Sequence, residues 1–183
     1  MKTKDKTAII ETAYELGYYY EQNYRGCAQC TVAAIQEALG KPNTVLFRAA
    51  SGLSAGGGLT CQGSCGGFAG GIMVMSSFFG RRQENFNNDN DNDNKNCAFR
   101  MAQMLQSHFT DMYGSVICGT IHKTILGRTY NLQDMADKEQ FNLDGAHTDK
   151  CTKVVAEAAA WTTALILHEA EKRRLEIADL SSN

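Results

Sequence analysis

Proline is nearly absent from this chain: Pro42 is the only one among 183 residues. Because proline breaks helices more strongly than any other residue, its rarity favours a helical protein. An excess of charge of one sign is missing as well, with 18 Lys and Arg against 20 Asp and Glu. Proteins that bind nucleic acid or membrane surfaces usually carry a basic patch, so we expect neither kind of partner.

Long hydrophobic runs are also missing. The longest one, Ala158 to Leu167, is interrupted by threonines and is too short to span a bilayer. The first residues, MKTKDKTAIIETAYELG, contain no apolar core of a secretory signal. We therefore expect a cytoplasmic protein, in which clustered cysteines serve metal binding or catalysis more often than disulfide bonding.

Apolar residues recur every three or four positions along most of the chain, which is the spacing of amphipathic helices. The segment from Cys65 to Phe79 is apolar nearly all round, and it predicts a buried central helix after a glycine-rich turn. No run alternates with period two, so we expect no strands. The predicted fold is an all-α, single-domain bundle of about five to seven helices spanning residues 1–183.

One segment of the chain carries no apolar side chain. Residues 87–94 read NNDNDNDN, and we expect a disordered insert at about residues 85–95. The alternating aspartates resemble the start of a calcium-binding EF-hand loop. However, Asn94 and Arg100 occupy the positions that such a loop gives to glycine and glutamate, so we exclude an EF-hand.

Most of the seven cysteines stand where a predicted helix begins. The first turn of a helix has unpaired N–H groups and the positive end of the helix dipole, which lower a thiol pKa and favour the thiolate. Cys27 and Cys30 form a CxxC, a spacing found in redox dithiols and metal sites. Thr31 stands where haem c attachment requires histidine. Cys97 has no motif around it and is interpreted as structural.

The segment that holds Cys61 and Cys65 is rich in glycine (SAGGGLTCQGSCGGFAGG). Glycine lets other groups approach the backbone closely, and free N–H groups in such a turn can point at sulfur or another anion. The backbone of Gly63, Gly66 and Gly67 is therefore a candidate for binding a cofactor. Tight helix packing is the alternative reason for these glycines.

The four histidines are weaker candidates than the cysteines. His122 follows Cys118 by four residues and so shares its helix face. His147 precedes Cys151 by four residues, in a predicted loop. His108 is interpreted as a surface residue and His168 as a core residue.

With the cysteines placed, the whole pattern resembles the redox-active protein family whose motif is written C_GCAxxG_C_C. The similarity covers roughly residues 8 to 170, and its matching stretches are GCAQ at Cys27, CGGFAG at Cys65, YGSVIC at Cys118 and CTKVVAEAA at Cys151. Gly67 stands where the motif usually has alanine. Three cysteines are additional to the motif, namely Cys30, Cys61 and Cys97.

The resemblance implies an all-helical redox domain with four metal ligands, Cys27, Cys65, Cys118 and Cys151. Cys30 and Cys61 are further candidate ligands. A similar domain accompanies the haems of split-Soret cytochromes c, where an iron–sulfur centre has been associated with it. This chain contains no CxxCH, so we expect no haem c.

Three functions agree with this pattern. The first is an iron–sulfur or related cluster protein that transfers electrons with an unidentified redox partner protein. The second is a thiol–disulfide oxidoreductase or redox sensor in which Cys27/Cys30 or Cys61/Cys65 cycle through a disulfide. The third is a structural zinc protein. Hydrophobic helices of this kind are also compatible with a homodimer.

Overall fold

A computed structural model describes residues 3–87 and 92–180, and these residues form eight α-helices and no strand. The all-α prediction is therefore confirmed. The helices are α1 (Thr3–Asn23), α2 (Cys27–Ala38), α3 (Thr44–Ala49), α4 (Gly66–Phe79), α5 (Asn92–Tyr113), α6 (Cys118–Leu126), α7 (Met135–Leu143) and α8 (Cys151–Lys172).

The core forms around α4, as its apolar sequence predicts. This helix packs against α2, α5 and α8, while α1 lies along both α2 and α8. Phe68, Val74, Met75 and Phe79 of α4 are buried together with Phe109 of α5. Among the described residues, no helix combines the length and apolar character that crossing a membrane requires.

Two helices differ from the sequence-based expectation. α5 begins at Asn92, so the expected insert at residues 85–95 is helical at its end, and residues 88–91 lie outside the described part. α7 occupies a segment expected to be loop. Its N-cap is Asp134, whose carboxylate accepts a hydrogen bond from the Asp137 N–H, and Phe141 is its only buried residue. A helix with one buried apolar residue gives almost no periodic signal.

A buried charge cluster ties α5 to α8. Glu169 is 5 % exposed, and its carboxylate accepts hydrogen bonds from Arg100 at 2.9 Å and from Arg173 at 2.8 Å. Arg100 also donates to the sulfur of Cys97 at 3.4 Å. Cys97 thus belongs to a packing and charge cluster between two helices, in agreement with its structural interpretation.

The Glu169 cluster predicts a pH-dependent stability. Burial alone would raise the pKa of Glu169, but the hydrogen bonds from Arg173 and Arg100 outweigh it and hold the pKa below its ordinary value. A carboxylate with a lowered folded-state pKa contributes stability that is fully present above its unfolded pKa of about 4.3 and is lost as the pH falls through the folded value. Denaturant unfolding between neutral and acidic pH measures this loss.

Glu169→Gln is the variant that tests the carboxylate. We expect it to lower the free energy of unfolding by about 1–2 kcal/mol at neutral pH, less than for a fully buried pair because both arginines are partly exposed. The variant should also lose stability less steeply in acid than the wild type. Equal acid slopes for the two proteins would contradict the assignment.

Candidate metal and redox site

Four cysteines stand at the starts of four different helices. Cys27, Cys118 and Cys151 are the first residues of α2, α6 and α8, and Cys65 is the N-cap of α4. Their sequence contexts predict these positions. Cys27 to Cys65 and Cys118 to Cys151 are separated by tens of residues, so only the packing of the helices determines whether the four sulfurs meet.

The packing brings all four cysteines to one cavity of about 200 Å³. Six further polar side chains line the same cavity, namely Glu21, Arg25, His122, Lys138, Asn142 and His147. Its apolar wall consists of Ala55, Leu59, Ile121, Leu132, Phe141, Val154 and Val155. Thiols, imidazoles and a carboxylate are therefore collected in a mostly apolar space, where polar interactions are stronger than in water.

The glycine-rich segment is joined to the start of α6 by three backbone hydrogen bonds. The N–H of Cys65 donates to Val116 O at 2.8 Å, that of Cys118 to Gly63 O at 3.0 Å, and that of Gly119 to Cys61 O at 2.8 Å. These bonds place Cys61 beside Cys118. They require Cys61 to adopt a left-handed backbone with φ of 57°, which is unusual for a residue with a side chain.

His122 lies among three sulfurs. Its Nε2 is 3.5 Å from Cys118 Sγ and 3.8 Å from Cys151 Sγ, while its Nδ1 is 3.8 Å from Cys61 Sγ. The ring is buried against Phe141. Ligand atoms of Cys61, Cys118 and His122 all lie within 4.8 Å of one another, so this group could hold a metal ion. The spacing of four residues from Cys118 was the only sequence signal for His122.

The glycines support the sulfurs in two different ways. The N–H groups of Gly66 and Gly67 lower the pKa of Cys27 and Cys65, respectively, by hydrogen bonding to sulfur, and the Ala55 N–H donates to Cys27 Sγ at 3.3 Å. Gly63 differs, because its own N–H donates to Gly56 O at 3.0 Å. Its amide is therefore not available to a cofactor, and Gly63 contributes by fixing the position of Cys118.

Burial raises the pKa of the cavity cysteines Cys27, Cys65 and Cys151, whereas their positions at helix starts alone predict a lowered pKa. Desolvation raises the pKa of Cys65 to about 11 despite hydrogen bonds from Gly67 and Phe68. Desolvation also raises the pKa of Cys27 and Cys151, and for each of these the nearby charge of Glu21 adds to the effect. These residues are therefore thiols until a cation enters the cavity, because metal binding removes their protons.

Cys61 is the exception among the seven cysteines. A hydrogen bond with the Cys118 thiol, together with the contact with His122, lowers the pKa of Cys61 and outweighs the opposing effect of burial. The same hydrogen bond, with burial, raises the pKa of Cys118. The structure thus pairs Cys61 with Cys118, whereas the sequence suggested Cys65 as its redox partner.

Cys30, unlike Cys27, does not line the cavity. It lies one turn into α2, and its thiol donates to Arg25 O at 3.1 Å. Cys30 and Cys97 are absent from the cavity lining. The four motif cysteines therefore share one space, Cys61 adjoins it through Cys118 and His122, and Cys30 lies outside it.

Glu21 and His147 are two more polar residues that line the cavity, and only His147 had a sequence signal, its spacing of four residues before Cys151. Glu21 is 2 % exposed near the end of α1, and its Oε1 lies 3.4 Å from His147 Nδ1. The charged and polar residues of α1 resemble an ordinary solvated face, so nothing in the sequence distinguishes Glu21 from the exposed glutamates of the same helix.

Comparison with known proteins gives one match. The family model described as "Putative redox-active protein (C_GCAxxG_C_C)" matches residues 26–165, more than half of the chain. This stretch includes the four cysteines that line the cavity. No curated protein and no solved structure matches the chain.

Proposed function

This chain belongs to the C_GCAxxG_C_C redox-active protein family, and on that premise we propose that it binds an iron–sulfur cluster in the cavity and transfers electrons through it. The observation that carries the proposal is that the four motif cysteines, each at a helix start, line one cavity. Cysteine thiolates are the usual ligands of such clusters. Cys27, Cys65, Cys118 and Cys151 are the proposed ligands.

The residues around the cavity fit an anionic sulfur centre. Backbone N–H groups of Ala55, Gly66 and Gly67 donate to the sulfurs of Cys27 and Cys65. Donors to sulfur stabilise the thiolate and raise the reduction potential of a centre that it ligates. The cluster would supply a one-electron couple. The protein orients its ligands, hydrogen-bonds their sulfurs and excludes water with Ile121, Leu132 and Phe141.

Anaerobic purification tests this function directly. We expect iron and acid-labile sulfide in the purified protein and a broad visible absorption that dithionite bleaches. A colourless protein without iron would overturn the proposal. One equivalent of zinc would instead support a structural site, for which Cys61, Cys118 and His122 provide three ligands. The proposal also includes an external redox partner protein, a cytoplasmic location and a homodimer.

The contact between Cys61 and Cys118 favours one second candidate function, a thiol–disulfide couple. With hydrogen peroxide as the oxidant, the two thiols would lose two electrons and two protons, one disulfide would form, and the hydrogen peroxide would become two molecules of water. Peptide mapping of peroxide-treated apoprotein identifies the bond. A Cys61–Cys118 disulfide in a metal-free protein would favour this function. A Cys27–Cys30 disulfide would contradict the assignment of Cys61 and Cys118 as the redox pair.

A further inference from the structure

Glu21 is a buried carboxylate without a full set of partners. Its side chain is 3 % exposed, and it lines the same cavity as the four motif cysteines. Oε1 lies within ion-pair distance of His147 Nδ1, at 3.4 Å, while neither His147 Nδ1 nor Glu21 Oε2 has a hydrogen-bond partner among the described residues. Buried carboxylates are normally paired, hydrogen-bonded or bound to a metal. The unpartnered oxygen therefore needs an explanation.

Neighbouring side chains do not supply the missing partner. The Cys30 thiol is close enough to Glu21 for the carboxylate to raise its pKa, but it donates to Arg25 O at 3.1 Å and leaves Glu21 Oε2 without a partner. Of the basic groups in the described ranges, only His147 lies within ion-pair distance of Glu21. Arg25 and Lys138 also line the cavity, but both are solvent-exposed residues.

The charge of Glu21 acts against the cysteines in the absence of a cation. It raises the pKa of Cys27, Cys30, Cys65 and Cys151, after the larger contribution of burial. A carboxylate beside several potential thiolates in an apolar cavity is unfavourable, since like charges repel strongly where water is excluded. A bound metal cation would compensate both the carboxylate and the thiolates.

We propose that Glu21 is an oxygen ligand of the metal centre in this cavity, so that the ligand set combines cysteine thiolates with one carboxylate. This inference rests on the proposed function. His147 would then be the outer partner that orients the carboxylate through Oε1, as ligating carboxylates usually require. Iron accepts thiolate and carboxylate ligands alike, so the proposed cysteine ligands and Glu21 are compatible in one centre.

Two substitutions at Glu21 separate a ligand from a merely structural residue. Glu21→Gln removes the charge, so we expect the metal-free protein to melt at a higher temperature than the wild type. Glu21→Asp keeps the charge but moves the carboxylate oxygens away from the cavity, because the side chain is one methylene shorter. The metal-free Glu21→Asp protein should therefore not melt at a higher temperature than the wild type. After reconstitution with ferrous iron and sulfide, both variants should lose metal affinity by about tenfold or more in competition with a chelator, with an altered visible spectrum.

Glu157→Gln is the matched control, because Glu157 is also a largely buried carboxylate, bonded to the Tyr113 hydroxyl and absent from the cavity lining. It should destabilise the metal-free protein and leave metal affinity and spectrum unchanged. A Glu21→Gln protein with wild-type metal affinity and spectrum would overturn the ligand assignment while leaving the proposed function intact. A wild-type protein that binds no metal would overturn both.

Discussion

Gly66→Ala is expected to destroy the candidate site and to lower the free energy of unfolding by at least about 3 kcal/mol. A Cβ atom at this position would lie 2.2 Å from Cys27 Sγ and 2.7 Å from the backbone nitrogen of Ala28. The second of these atoms belongs to the first turn of α2 and cannot rotate away. The helices α2 and α4 would have to separate, and Cys27 would leave the cavity.

Denaturant unfolding and iron content measure the two parts of this prediction. Gly67→Ala is the matched control, since its Cβ would lie 3.1 Å from the Cβ of Ala158 and at ordinary contact distances, 3.6 and 3.7 Å, from Thr31 Oγ1 and Cys65 Sγ. Alanine is also the residue that the family motif usually has there. We expect Gly67→Ala to remain within about 1 kcal/mol of the wild type, because the higher helix propensity of alanine offsets the tighter packing. Equal stability losses in the two variants would contradict the proposed geometry.

Cys118→Ser is expected to purify with less than about a tenth of the wild-type iron. Cys118 lines the cavity, contacts His122 Nε2 at 3.5 Å and donates a hydrogen bond to Cys61. Serine nearly preserves the shape but does not provide a thiolate, which is the form that binds the metal. The loss of metal should therefore exceed any loss of stability in the metal-free protein.

Cys97→Ser provides the comparison for that experiment. Cys97 is buried like Cys118, but its sulfur contacts Arg100 and Met101, outside the cavity lining. We expect a modest loss of stability and the iron content of the wild type. If Cys118→Ser kept its iron, or if both variants lost it equally, the assignment of Cys118 as a ligand would be wrong.

Much of the fold follows from local patterns. The periodic apolar residues predicted about five to seven helices where the described part of the chain has eight, and the bounds of α4 differ from the expectation by one residue. α7 was missed because its stability comes from the Asp134 cap and from Phe141, which packs against His122 and Tyr130. That contact joins residues far apart in sequence and leaves no trace in the periodicity.

The sequence by itself determined the helical class and placed Cys27, Cys65, Cys118 and Cys151 at helix starts, and the family motif named these four as candidate ligands. These properties depend on interactions within one or two helical turns. Only the tertiary structure decided that the four cysteines share a cavity, that Cys61 pairs with Cys118 and that Glu21 faces the sulfurs. It also reversed the expected pKa direction for Cys27, Cys65, Cys118 and Cys151. Desolvation depends on which distant residues cover a thiol, and for Cys27, Cys65 and Cys151 it outweighs the local effect of the helix start. For Cys118 the contact with Cys61 is the larger cause, and desolvation adds to it.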